Sequence, residues 1–350
     1  MELYFLDENF SHISGPVDFF TSVVWSERYF EVGTFTLHFP RVHLPEVLEA
    51  VYVSTSAAEG EIKCGRIDYI ITGEDGDCEI GGRMLESLLS DRVIYGSETL
   101  CGNIDEIVAY VVERNMRDFD FIIGESESVG GDTTVMYDWD DLAEWLYSIL
   151  RPFGASFTVK LDPESGKPVF RVVNGKNRTV ESSLETGIEP AIFSSSFENV
   201  SSIDIETESG GMKNFVYVEG KDGTVVTVDQ SEGIRIREMY YSAKDIAPTA
   251  YLTAELYQEA LAARGRSVLS KYKKSLSVSA ECDVTALPRY GADYALGDIC
   301  DVADSETGLS FELRVSGVDT VWENGSVTVF PLFGEERDYI GKLKNQLKLQ

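Results

Sequence analysis

Between residues 25 and 40 the chain reads WSERYFEVGTFTLHFP, and Phe35, Leu37 and Phe39 alternate there with Thr34, Thr36 and His38. Period-two alternation predicts a strand that buries one face, and Pro40 stops it. A second extended run follows from Ile62 through Cys64, Arg66 and residues 67–72, and Glu74-Asp75-Gly76-Asp77 supplies a turn that folds it back. The returning strand ends at Gly81-Gly82-Arg83, where the period becomes helical and Met84, Leu85, Leu88 and Leu89 share a face. Ahead of these lie a short strand with Leu3, Phe5 and Leu6, a turn at Ser14-Gly15-Pro16, and a strand over residues 48–53. That much antiparallel β suffices for a small barrel over residues 1–98, with a boundary near Gly96.

Past that boundary the pattern turns helical. Ile104, Ile107, Val108, Val111 and Val112 recur at helical spacing behind a cap candidate, Asn103. A second helix has Leu142, Trp145, Leu146 and Ile149 on its apolar face, Asp138 or Asp140 as its cap, and Arg151-Pro152-Phe153-Gly154 at its end. Strands at 156–160 and 169–173 flank a turn at 163–166, so residues 99–185 read as an α/β insert. Alternation returns over 190–240, a helix interrupts at about 249–272 with Leu252, Leu256 and Ala260 on one face, and strands resume from 275 to 330 with a hairpin signal at Asn324-Gly325. The expected fold class is therefore α+β, mainly β: two β-barrel-like domains, 1–98 and 186–336, an α/β insert between them, and a basic tail at 337–350.

Composition narrows the function. Sixty acidic against thirty basic side chains leave a net charge of −30, which disfavours specific binding to nucleic acid or acidic membrane surfaces. A hydrophobic content of 43% excludes a disordered chain despite that charge. The start, MELYFLDENFSHI, has acids where a secretory signal needs a basic region, and no run approaches the ~20 apolar residues of a membrane span, so folding in a cytosol is expected. Cys64, Cys78, Cys101, Cys282 and Cys300 show no metal or redox spacing, and most are expected as buried free thiols. The tail carries Arg337, Lys342, Lys344 and Lys348 against Asp338, a local charge of +3, and is expected to contact a neighbouring subunit.

Candidate chemistry is sparse. His38 and His43 would lack a third metal ligand, and Glu74, Asp75 and Asp77 lack the ligand spread of a calcium loop. Asp138, Asp140 and Asp141 beside Trp139 resemble a glycosidase cluster, yet helix capping explains the same residues without a substrate. There is no G-x-S-x-G, P-loop or dinucleotide fingerprint. No catalytic, cofactor-binding or metal-ligating set is expected, and no cofactor; the residues point to a structural or interaction protein rather than an enzyme.

Several pieces together resemble the siphovirus gene-product-37-like tail protein family. They are Trp25, Arg28, Tyr29, Gly33, Phe35, Leu37 and Pro40; Ile67-Asp68-Tyr69; Gly82-Arg83 with Leu85, Glu86, Leu88, Leu89 and Arg92; residues 213–220; and Leu296-Gly297-Asp298-Ile299-Cys300 followed by residues 311–315. The resemblance implies a phage or prophage tail hub, akin to the hub of contractile baseplates. It implies a homotrimeric ring in which two barrels per subunit form a collar that links tail tube to tail tip and lines part of the DNA channel. The partners it implies are other copies, other tail and baseplate proteins, and passing DNA that is not specifically bound, with no membrane. The implied location is the virion tail, after synthesis in the bacterial host cytoplasm. A tail-associated peptidoglycan hydrolase using Asp140 or Asp141, or a carbohydrate-binding adhesion module with Trp139 and Trp145 on one surface, remains the alternative.

Overall fold

A computed structural model describes residues 2–334 except 57–61, 74–75, 198, 201, 271, 273–274, 284–286 and 324. The tail at 337–350 and Glu74, Asp75 and Asn324 of the two turns therefore lie outside the described residues. The chain forms two compact units, Met1–Asp204 with Val278–Gly334, and Ile205–Ser277.

The first unit opens with β1 (Leu3–Leu6), β2 (Ser22–Arg28), β3 (Thr34–Pro40), the one-turn helix α1 (Leu44–Val47), β4 (Tyr52–Thr55), β5 (Cys64–Thr72), β6 (Asp77–Met84) and the short helix α2 (Ser87–Ser90). Alternation does what it predicts in β3, where Phe35, Leu37 and Phe39 are buried and the residues between them half-exposed. The strand expected at 48–53 begins later: Pro45, set by its fixed φ for a first helical turn, nucleates α1, and Leu48 is left exposed. Gly82 lies where β5 bulges between Ile67 and Tyr69; a Cβ there would sit 1.8 Å from the Arg66 carbonyl, so only glycine admits the strand.

Next come β7 (Ser97–Asn103), α3 (Ile104–Asn115), β8 (Ile122–Ile123), β9 (Asp132–Asp138), α4 (Leu142–Leu150), β10 (Ala155–Leu161), β11 (Pro168–Asn174), β12 (Asn177–Arg178), α5 (Val180–Thr186), β13 (Ile192–Ser194) and β14 (Ser202–Glu208). Asn103 caps α3 by accepting from Asp105 N, and the predicted stripes of α3 and α4 are buried. These helices share a core with Phe157 and Phe170 of the β10–β11 hairpin and with Leu6, Tyr52, Leu85 and Leu89. Contacts thus divide the chain differently from 1–98, 99–185 and 186–336, because the helices complete the hydrophobic core of the first strands.

The unit closes with β18 (Ser275–Asp283), β19 (Ile299–Asp304), β20 (Leu309–Glu323) and β21 (Ser326–Gly334), after β15 (Phe215–Gly220), β16 (Val225–Asp229), β17 (Glu238–Ala243) and α6 (Ala254–Ser270) of the second unit. The main sheet runs β1-β4-β5-β6-β3-β2-β20-β21-β18-β14. β20 pairs with β19 over Leu309–Arg314 and with β2 from Gly317 to Glu323, so strands from both ends of the sequence are spliced into one sheet. Among the described residues this ladder is an open path and not the two closed barrels expected, because β2 takes its second neighbour from the far end of the chain.

In the second unit, β15 pairs antiparallel with β16 and parallel with β17, and α6 covers one face. The stripe on α6 is not Leu252, Leu256 and Ala260: Leu252 and Leu256 are exposed, and Tyr257, Leu261, Val268 and Leu269 are buried instead. Gly265 decides this. A Cβ there would meet Val228, Val218 and Val216 at 2.7, 2.9 and 3.2 Å, so this face of the helix approaches the sheet closely.

Candidate functional site

Three consecutive residues, Glu27 and Arg28 of β2 and Tyr29 just beyond its end, anchor a buried polar junction of the first unit. β2 lies between β3 and β20, and the side chains of Glu27 and Arg28 on it are both buried, so their charges need partners. Glu27 is 5% exposed; its carboxylate accepts from Lys63 Nζ, from the Tyr290 hydroxyl at 3.2 Å and from Lys160 Nζ at 3.5 Å. Burial alone would raise its pKa, but the two ammonium groups outweigh that and hold it at about 2. Lys63 also donates to Thr320 at 3.1 Å. A cavity of about 340 Å³ adjoins, with Lys63, Tyr290, Tyr294, Thr320 and Cys282 in its wall.

Arg28 Nη1 donates to Asp319 at 2.7 Å and to the Glu27 carbonyl at 2.9 Å, joining β2 to β20 by charge as well as by ladder. Tyr29 ties three more segments together. Its hydroxyl accepts from Gly175 N at 3.1 Å and lies 3.1 and 3.2 Å from the carbonyls of Gly154 and Val173. Its ring packs on Gly297 and under Arg314, whose guanidinium carbon is 5.4 Å from the centroid. Next to Gly297, buried Asp298 accepts from Arg178 Nε at 2.6 Å, Lys176 N at 2.7 Å and Ala295 N at 3.0 Å. Arg28, Tyr29, Gly297 and Asp298, noted in the sequence only as pieces of a family pattern, thus form one keystone. Nothing in the sequence signals the pairing itself. Glu27 is held ionised between cations and has no proton to give at neutral pH, and Tyr29 is engaged by backbone, whereas one carboxylate oxygen of Asp319 is buried without a hydrogen-bond partner among the described residues.

The residues weighed as chemistry do not converge. His38 lies 3.7 Å from Asp77 and 4.0 Å from Glu79, whereas His43 pairs with Glu46 at 2.8 Å and stacks on Phe19. Among the described residues no group of three or more metal-ligating side chains occurs. Asp138 is engaged by Ser97, Asp140 accepts from Asp138 N at 2.9 Å, and Asp141 accepts from Glu144 N at 2.9 Å. The cap of α4 is therefore Asp141, not Asp138 or Asp140, because β9 extends through Asp138 and the chain turns only after it. Trp139 is exposed, at φ +56°, with its ring edge-to-face to Tyr95 at 4.9 Å. Trp145 is buried and donates to the Met136 carbonyl, so the two tryptophans do not share a surface as the adhesion reading requires. Cys101 is exposed and the other four thiols are buried. No helix among the described residues is long and apolar enough to cross a membrane.

The fold is one shared with prophage tail proteins. It is similar to the 43 kDa tail protein of prophage MuSo2 from Shewanella oneidensis, with TM-score 0.57, 13% identity, and 95% of this chain and 98% of that one covered. The tail protein from Neisseria meningitidis MC58 gives 0.56 at 10% identity, covering 96% of each. Prophage tail protein gp18 from Listeria monocytogenes EGD-e gives 0.50 at 13% identity, covering 99% and 98%. A search of curated proteins gave no match. The family model described as Siphovirus ReqiPepy6 Gp37-like protein matches residues 2–335, and the chain belongs to that family.

Proposed function

We propose that this chain is a structural subunit of a phage or prophage tail, a hub that assembles as a ring, a homotrimer in the finished tail, between tail tube and tail tip and without enzymatic activity. The observation that carries the reading is the family match over residues 2–335, and the similarity in fold to prophage tail proteins over nearly their whole length supports it. The buried network at Glu27, Arg28 and Tyr29, which ties distant segments together, fits a part that must keep its shape under load. Such a ring would use its β-rich portions, from residues 1–98 and 186–336, as the collar.

The net charge of −30 suits a wall along which DNA moves. A polyanion gains no counterion release from an acidic lining, so it slides rather than adheres. Co-expression with neighbouring tail proteins, followed by electron microscopy, should show ring-shaped particles; monomers that enter no assembly would refute the hub. DNA retardation at low salt should be absent, and tight binding would contradict the channel role. Clearing of bacterial cell wall in a zymogram would favour the hydrolase instead.

A further inference from the structure

Among the described residues, the sheet of the second unit has one face covered by α6 and one largely exposed face. Val216 and Val218 of β15 and Val228 of β16 are buried in the core with α6. Side chains alternate along a strand, so their neighbours occupy the opposite face. There Tyr217 lies in register with Thr227 and Tyr240, Glu219 with Val225 and Ser242, and Phe215 with Asp229 and Glu238. Tyr240 is 56% exposed, Val225 53% and Tyr217 37%. The face carries three carboxylates, Glu219, Asp229 and Glu238, and no lysine or arginine at these register positions. The phenols orient two of the acids: Tyr217 donates to Glu238 at 3.3 Å, and Tyr240 to Glu219. Rings set among fixed carboxylates suit a partner with ammonium groups between apolar side chains, since such cations pair with the acids and also lie over the rings.

We propose that residues 337–350 of a second copy of this chain dock on that face. In a chain of net charge −30, this segment concentrates Arg337, Lys342, Lys344 and Lys348 against Asp338, a local charge of +3, and intersperses Ile340, Leu343 and Leu347. Its charge complements the three carboxylates, and its apolar residues would cover Tyr217, Tyr240 and Val225. The inference rests on the self-assembling hub reading, to which it adds the contact that joins subunits.

The test uses a fluorescent peptide of residues 337–350 and the chain shortened after Glu336. Binding should weaken about tenfold or more between low and moderate salt. It should fall at least several-fold in the Glu219→Gln/Glu238→Gln double variant and in Tyr240→Ala, changes at half-buried Glu219 and at exposed Glu238 and Tyr240 whose folding circular dichroism can verify. In full-length protein mixed from isotopically light and heavy copies, zero-length cross-linking should join Lys342, Lys344 or Lys348 of one isotope to Glu219 or Glu238 of the other. Absent binding, binding indifferent to the glutamate changes, or cross-links confined to one isotope would overturn the inference. Ring particles without peptide binding would sink this contact and leave the hub standing; peptide binding by a chain that never enters an assembly would do the reverse.

Discussion

Glu27→Gln removes the charge at the centre of the junction while keeping its shape. A buried carboxyl held at about 2 instead of its ordinary 4.5 stabilises the folded chain by ~3 kcal/mol at neutral pH. Because the folded value lies below the unfolded one, that stability is fully present above pH 4.5 and is lost as pH falls toward 2. At pH 3 less than half of it remains. The variant should therefore be less stable than the parent by ~3 kcal/mol at pH 7, at the low end for a broken buried pair, since Lys63 and Lys160 are 17% and 22% exposed and can turn partly to water. The gap should narrow by ~2 kcal/mol on going to pH 3. Urea unfolding followed by tryptophan fluorescence measures this in the relevant unit, because Trp25, Trp139, Trp145 and Trp322 all belong to it. A loss under ~1 kcal/mol at pH 7, the range of a surface pair, or a gap that does not change with pH, would refute the assignment of this network as a stabilising anchor.

Four other substitutions probe three separate features by the same unfolding assay. Gly297→Ala places a methyl group 2.2 Å from the Tyr29 ring at φ +94°, and a loss of at least ~2 kcal/mol is expected; a neutral result would mean that the keystone yields easily. Asp141→Ala should cost ~1 kcal/mol by uncapping α4, whereas Asp140→Ala should cost clearly less, and equal costs would count against the capping assignment. Trp139→Gly relieves a left-handed backbone at an exposed site and should raise stability by up to ~1 kcal/mol; a loss of that size would show that its contact with Tyr95 supports the fold.

Much of the local structure was legible from spacing. The alternation in β3, the stripes of α3 and α4 and the Asn103 cap all follow from short-range periodicity and from what a helix start requires. Where local signals competed, the sequence was ambiguous. Of the three aspartates beside Trp139 the sequence pointed to Asp138 or Asp140 as the cap, and only the end of β9 shows it to be Asp141. Both stripes of the helix at Ala254–Ser270 contain apolar residues, and the side that can approach a sheet is chosen by Gly265. The pattern of residues that resembles the family was readable, but not the fact that it marks an assembly point.

What the sequence determined by itself is the alternation of β3, the apolar stripes of α3 and α4, the acidic balance and the family, because each depends on neighbours in the chain or on composition; β7, β9, α1 and α5 were not legible in it. What only the tertiary structure decided is which elements meet. β2 accepts β20 as a neighbour, Arg28 pairs with Asp319, and Tyr29 packs on Gly297, so the ends of the first unit are sewn into one open sheet where two barrels were expected. Such pairings carry no local signature, because closing a long loop costs entropy that only slowly depends on its length. The choice among distant partners is made by shape and charge once the chain has collapsed.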